Sequence, residues 1–161
     1  MEDFEGYSSW VYPTKIKKIE EVRKSYTYFA ENDLLIAKIE PCFKNGKMSI
    51  AKNLKNGIGF GSTEFIVLRA KEEVMIEWVY YCLRNYDFLE EGKNHMTGTA
   101  RQRLGQEFVE NYLIPLPPLE VQKKLVKDLK EEQEIINCQK QSIILLEKKK
   151  ERYLKNLWQN D

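Results

Sequence analysis

Apolar positions recur with three different periods along the chain, and each period predicts a different element. "DLLIAKI" (Asp33–Ile39) clusters Leu, Ile and Ala in a short run, the mark of a buried strand. "MSIA" (Met48–Ala51) and "EFIVLRA" (Glu64–Ala70) are strand-like too. "CFKNGK" joins the first two through Asn-Gly, a tight-turn dipeptide. Helical spacing then takes over from Glu73 to Glu91, through Ile76, Val79, Tyr80, Leu83 and Phe88. A polar loop, "GKNHMTGTARQR", precedes a short helical piece around Gln106–Glu110, and "NYLIPLP" reads as a final strand.

The chain changes character at "IPLPPLE". Three prolines in four residues cannot sit inside a helix or a central strand. From Leu119 to Asp161 there is no Pro and no Gly, and Pro118 suits the first turn of a helix. Leu119–Trp158 predicts one helix about 60 Å long at ~1.5 Å per residue, longer than a small domain can cover. Its apolar seam holds Leu129, Ile136, Ile143 and Leu157, with Leu125, Leu146 and Tyr153 at companion positions. Glu132, Gln139 and Lys150 interrupt it, which fits an antiparallel helix pair better than a continuous zipper. The plain alternative is a helix folded back on its own domain. The expected architecture is α+β: a small mixed sheet over residues 1–117, then a long helical region over 118–161.

"NGIGFGSTEF" (Asn56–Phe65) lies between the strand-like runs. Asn56-Gly57 predicts a tight turn, and Gly59 and Gly61 predict close packing where a side chain would collide. Phe60 and Phe65 are core candidates. Ser62 and Thr63 either bond the backbone locally, the favoured reading, or reach a phosphate.

Composition narrows the class. An apolar share of 42% supports a packed core. No apolar run approaches the ~18 residues of a membrane span, and "MEDFEGYSSW" does not read as a secretory signal. Cys42, Cys82 and Cys138 are far apart and not in metal spacing, so they read as reduced thiols of a cytoplasmic protein. The net charge of +1 is uninformative, but its distribution is not. Five lysines stand against Glu40 between Lys38 and Lys55, and Lys93–Arg103 holds no acid at all. Segregation of this kind presents a basic face, unless the lysines are simply solvated.

Catalytic signals fail one by one. In "NGKMS", a phosphate loop would need Gly where Pro41 stands and Ser or Thr where Met48 stands. A dinucleotide fingerprint over Gly59 and Gly61 meets Glu64 in the third glycine's place. One His and scattered cysteines form no common zinc site, and His95 has no nucleophile beside it. "MTGTARQR" (Met96–Arg103) instead combines the residue types that bond base edges and phosphates: Thr, Gln and Arg. Gly98 would let the backbone approach a partner. The bland counterpart is a solvent loop with an Arg paired to Glu90 or Glu91.

"LLIAKIEPCFKNGK", "NGIGFGSTEFIVLR", "MTGTARQRL" and "IPLPPLEVQKKLV", in this order, resemble the target-recognition domain and helix of specificity subunits from type I restriction-modification systems. The resemblance covers roughly Tyr26–Leu129. It implies a non-catalytic subunit whose domain reads half of a split DNA sequence. Helical spacers in that family bind methyltransferase subunits, which use S-adenosylmethionine. Motor-endonuclease subunits add ATP- and Mg-dependent restriction. Family members carry two such domains and two helical regions; this chain has one of each and is expected to be a half-subunit. Fewer residues than usual precede the "LLIAKI" strand, so the domain is expected either to be truncated or to depend on a preceding polypeptide. Gly105 stands where the family more often has Pro.

On this resemblance the residues expected on double-stranded DNA are Lys38, Lys44, Asn45, Lys47, Thr97, Thr99, Arg101, Gln102 and Arg103. The residues expected to pair the helix with a second copy are Leu125, Leu129, Ile136, Ile143, Leu146, Tyr153 and Leu157. No metal or cofactor is expected in this chain, and no membrane partner. A competing reading keeps the helix but not the DNA: an adaptor that binds methyltransferase subunits without reading sequence.

Overall fold

The computed structural model describes residues 10–13 and 15–158. The chain divides into two compact units, Met1–Lys123 and Lys124–Asp161. In the first unit a four-stranded sheet runs in the order β1 (Trp10–Val11), β4 (Met48–Ala51), β3 (Leu34–Ala37), β6 (Phe65–Leu68). β1 and β4 are parallel and the other neighbours antiparallel, so the sheet is mixed as expected. All four residues of β3 are buried, as are all four of β4. Their apolar runs follow from cover on both faces. Leu34, Ile36, Met48, Ile50 and Ile66 face the main core with Ile76, Tyr80, Leu83 and Phe88. The opposite face buries Leu35, Ala37 and Ala51 with Phe29 and Phe65.

Among the elements that the periodicity does not reveal are two paired strands. β2 (Thr27–Ala30) pairs antiparallel with β5 (Ile58–Gly61), so the glycine-rich stretch is itself a strand and not merely a link between strands. The turn before it is as expected: Asn56 and Gly57 have φ of 58° and 71°. The packing of its glycines is also as expected. A Cβ on Gly59 would stand 2.3 Å from Phe29 Cε2, and one on Gly61 would stand 2.7 Å from Phe65 Cε2. Phe65 is buried, whereas Phe60 is only half-buried and meets Tyr28 edge-on at 5.8 Å, outside both cores. The Ser62 hydroxyl accepts from the Glu64 amide at 3.1 Å, the local role.

The helix expected over Glu73–Glu91 is two helices, α2 (Ile76–Leu83) and α3 (Tyr86–Asn94). Asn85 breaks them, because its side chain accepts from the Phe88 amide at 2.8 Å and caps the second. Further on, β7 (Met96–Thr97) and β8 (Arg103–Leu104) form a small hairpin, and α4 spans Gln106–Asn111. The strand expected at "NYLIPLP" is absent: Tyr112–Pro118 form neither helix nor strand. Prolines at 115, 117 and 118 remove ladder donors, and Trp78 Nε1 donates to the Pro115 carbonyl at 2.8 Å instead. α1 (Ile19–Val22) is a single exposed turn.

α5 (Leu119–Trp158) has the predicted bounds. Its first turn is tied in by Gln122, which is fully buried. Gln122 Oε1 accepts from the Met75 amide at 2.9 Å at the start of α2. Its Nε2 donates to the Glu73 and Pro117 carbonyls at 3.1 and 2.8 Å. Val126 is buried, but from Leu129 onward the helix leaves its large apolar residues uncovered. Leu129, Ile136, Ile143, Leu146 and Tyr153 are exposed, as are Ile135, Ile144, Leu145, Leu154 and Trp158. Leu125 is half-buried, and the side chain of Leu157 lies outside the described residues. No helix among the described residues is long and apolar enough to cross a membrane.

Candidate nucleic-acid interface

The two basic segments are nearly sixty residues apart in sequence and adjacent in the fold. Ile39, just past β3, bridges Arg103 in β8. The Leu104 amide donates to the Lys38 carbonyl at 2.8 Å, and the Glu40 amide to the Gln102 carbonyl at 3.0 Å. Lys44 Nζ reaches Gln102 Oε1 at 3.4 Å and also pairs with Glu40. Lys38, Lys44 and the hairpin loop therefore share one edge.

Each segment is held by local contacts. The turn at Pro41–Gly46 follows a cis Glu40–Pro41 bond and closes on its own backbone, with Asn45 N to Pro41 O at 3.1 Å and Lys47 N to Cys42 O at 3.0 Å. Phe43, almost fully buried, plugs this turn into the core edge-on to Phe88 at 5.8 Å. Gly92 makes room for it, since a Cβ there would stand 2.4 Å from Phe43 Cζ. Lys44 and Asn45 are thus carried on an anchored turn, with Lys47 at its exit. The hairpin loop bends at Gly98, whose φ is 116° and whose added Cβ would meet the Arg101 carbonyl at 2.8 Å. That glycine serves the turn itself, a reason closer to hand than the approach of a partner. Thr97, Thr99 and Arg101 are exposed and Gln102 is half-buried.

Arg103 is already engaged. Its Nε donates to both Glu64 oxygens at 3.1 and 3.0 Å, and its Nη2 to Oε1 at 2.8 Å. The partner is Glu64; Glu90 pairs with Lys93 instead. The Arg103 hydrogen bonds hold the Glu64 carboxyl below the usual carboxylate range, against partial burial, and the charges of Arg103, Lys38 and Arg101 add to the pull. Glu64 raises the Arg103 value in turn. Spacing alone did not reveal this acid: it appeared only as the residue that spoils a glycine fingerprint. Its pull from Lys38 and Arg101 as well as Arg103 marks it as the negative centre of a mostly positive edge.

The remaining chemistry-bearing residues have structural partners. His95 stacks on Phe108 at 4.7 Å, its Nδ1 2.9 Å from the Glu91 carbonyl. Burial pushes the Cys82 thiol up, away from reactivity. Asp33, fully buried, accepts from Arg69 through both oxygens and from the Ala30 amide, each within 2.7 Å. No group of His, Cys, Asp and Glu among the described residues could hold a metal ion.

The chain is similar to the EcoAI and EcoEI type I restriction enzyme specificity subunits of Escherichia coli, at 45% and 43% identity over 70% of this chain. It spans only 19% of either relative. A specificity subunit from Methanocaldococcus jannaschii, MjaVIII, is 26% identical over 98% of this chain and 36% of its own length. Among solved structures, the HsdS subunit from Thermoanaerobacter tengcongensis superposes with a TM-score of 0.55 at 27% identity, covering 68% of this chain and 28% of that one. A chain from a study of complex assembly and conformational transition in the type I R-M system superposes with a TM-score of 0.59 at 21% identity, over 88% of this chain and 31% of that one, a likeness of fold. Residues 2–148 match the family described as the type I restriction modification DNA specificity domain, and the chain belongs to that family.

Proposed function

We propose that this chain reads one part of a bipartite DNA site as a half specificity subunit of a type I restriction-modification complex. The observation that carries this reading is the joining of Lys38–Lys47 to Thr97–Arg103 along one edge through the Ile39–Arg103 bridge. The two adjacent segments then bring Lys38, Lys44, Asn45, Lys47, Thr97, Thr99, Arg101, Gln102 and Arg103 to the duplex. Lysines supply phosphate contacts that position the domain, while Arg, Gln and Asn are the types that read base edges in the major groove.

In this reading the chain is not a catalyst and acts in the cytoplasm. It brings methyltransferase subunits, which use S-adenosylmethionine, and motor-endonuclease subunits, which use ATP and Mg, to the site. The exposed apolar positions of α5 are closed by a second copy. A symmetric pair of helices would impose two-fold symmetry on the DNA sequence that is read.

The test is enrichment. The full chain with its methyltransferase subunits is mixed with a pool of random duplexes, and the bound fraction is sequenced. A bipartite motif is expected, with affinity falling steeply with salt. A complex that forms but enriches no sequence would instead make the chain a non-reading adaptor.

A further inference from the structure

We infer that Glu64 is a positioning residue for DNA reading: its carboxylate holds Arg103 as a strut beneath the Gly98–Gln102 loop, leaving Arg101 as the guanidinium presented to the duplex. This rests on the DNA-reading role proposed above and divides the labour within that edge.

The geometry of Arg103 carries the inference. A guanidinium has five N–H donors in a fixed fork, and reading guanine takes two parallel donors from one edge. The Nε–Nη2 edge of Arg103 is spent on Glu64. Its Nη1 donates to the Arg101 carbonyl at 3.3 Å, so the other edge is engaged as well. That same carbonyl sits against Gly98, where an added Cβ would lie 2.8 Å away. The loop is therefore pinned at Arg101 from both sides: by the turn at Gly98, and by Arg103 braced on Glu64.

Glu64 is itself fixed from the far side of the edge. It precedes β6 directly, its amide donates to Ser62 Oγ, and its carbonyl accepts from the Lys38 amide at 2.9 Å. The chain Ser62–Glu64–Arg103–Arg101 thus runs from the sheet to the loop. Arg101 is exposed and close enough to lower the Glu64 carboxyl, but among the described residues no contact engages its fork as Glu64 engages that of Arg103. An acid amid Lys38, Arg101 and Arg103 lowers the positive potential that attracts DNA. Its place there is explained if geometry, more than raw attraction, is what the site requires.

The experiment uses the full chain with its methyltransferase subunits, the duplex enriched by the wild type, and a shuffled duplex of the same composition. Glu64→Gln and Arg103→Lys are each expected to lower the preference for the enriched duplex about tenfold, with binding to the shuffled duplex held within about twofold. Arg101→Ala is expected to lower the preference for the enriched duplex by about tenfold or more, the loss that removing a base-reading fork produces. Arg103→Lys keeps the charge and removes the fork. An unchanged preference in that variant overturns the strut whatever Glu64→Gln does, including a failure of Glu64→Gln to fold. Equal losses on both duplexes for Glu64→Gln and Arg103→Lys also overturn it. If the wild type enriches no duplex, the DNA-reading role fails first, and the strut falls with it.

Discussion

The two units of this chain solve opposite problems. The unit Met1–Lys123 buries its apolar residues on both faces of a small sheet, and no buried side-chain polar atom among the described residues lacks a partner. In the unit Lys124–Asp161 a single helix exposes Ile135, Ile136, Ile143 and Ile144 to solvent. The first unit is stabilised by its own contacts. The second presents an apolar surface that a lone helix cannot satisfy, because helices owe most of their stability in water to tertiary packing. One unit covers most of its apolar residues, and the other leaves most of its own exposed.

The contrast predicts where substitutions act. The largest effect belongs to the helix. Ile136→Asp with Ile143→Asp is expected to raise the dissociation constant for self-association by at least about two orders of magnitude, since each buried isoleucine contributes roughly 1.5–3 kcal/mol. Sedimentation against concentration measures this, and far-UV signal from the sheet-bearing unit should not change. Next comes Gln122→Ala. It strands the Met75 amide and the Glu73 and Pro117 carbonyls, and is expected to cost about 2–4 kcal/mol in a denaturant melt.

Smaller effects sharpen the picture of the first unit. Gly59→Ala presses a methyl group on the Phe29 ring and is expected to cost about 1–3 kcal/mol in thermal unfolding. Gly105→Pro runs the other way. Gly105 has a φ of −68°, within the range a proline ring imposes, and open space where a Cβ would stand. Leu104 before it lies in a strand, as a residue preceding proline prefers. A gain of about 0.4–1 kcal/mol is expected.

The smallest effect is the pH dependence of the Glu64–Arg103 pair. A carboxyl lowered by folding adds stability above its unfolded value of about 4.3, and loses it as pH falls through the lower folded value. The stability difference between wild type and Glu64→Gln should therefore hold constant from neutral pH down to about 4.3 and close below it. Urea melts at a series of pH values measure this. A gap that closes well above that range would count against the pairing.

What could be read from sequence follows from range. β3, β4, β6 and α5 declare themselves through runs of their own residues, and α5 through the absence of Pro and Gly over its whole length. β5 does not, because two of its four positions, Gly59 and Gly61, are fitted to the Phe29 ring, which arrives from some thirty residues earlier. β2 escaped for the same reason: its partner lies some thirty residues on. The break at Asn85 was legible in principle, since an Asn with an acid two residues later is a helix-start signal inside a longer helical pattern. The strand that the apolar residues of "NYLIPLP" suggest does not form, because its prolines remove ladder donors. For the site, the residue types of "MTGTARQR" were visible. Their joining to Lys38–Lys47 was not, nor was the engagement of Arg103 by an acid 39 positions away.

The buried Gln122 has a practical consequence for anyone who would exchange recognition modules between subunits. The proline cluster looks like the natural seam, and a splice there would separate Gln122 from the start of α2 whenever the incoming helix lacked the same amide. A graft that keeps the native chain through Lys123 carries its own latch across the junction, and the new helix can then be chosen for its pairing alone.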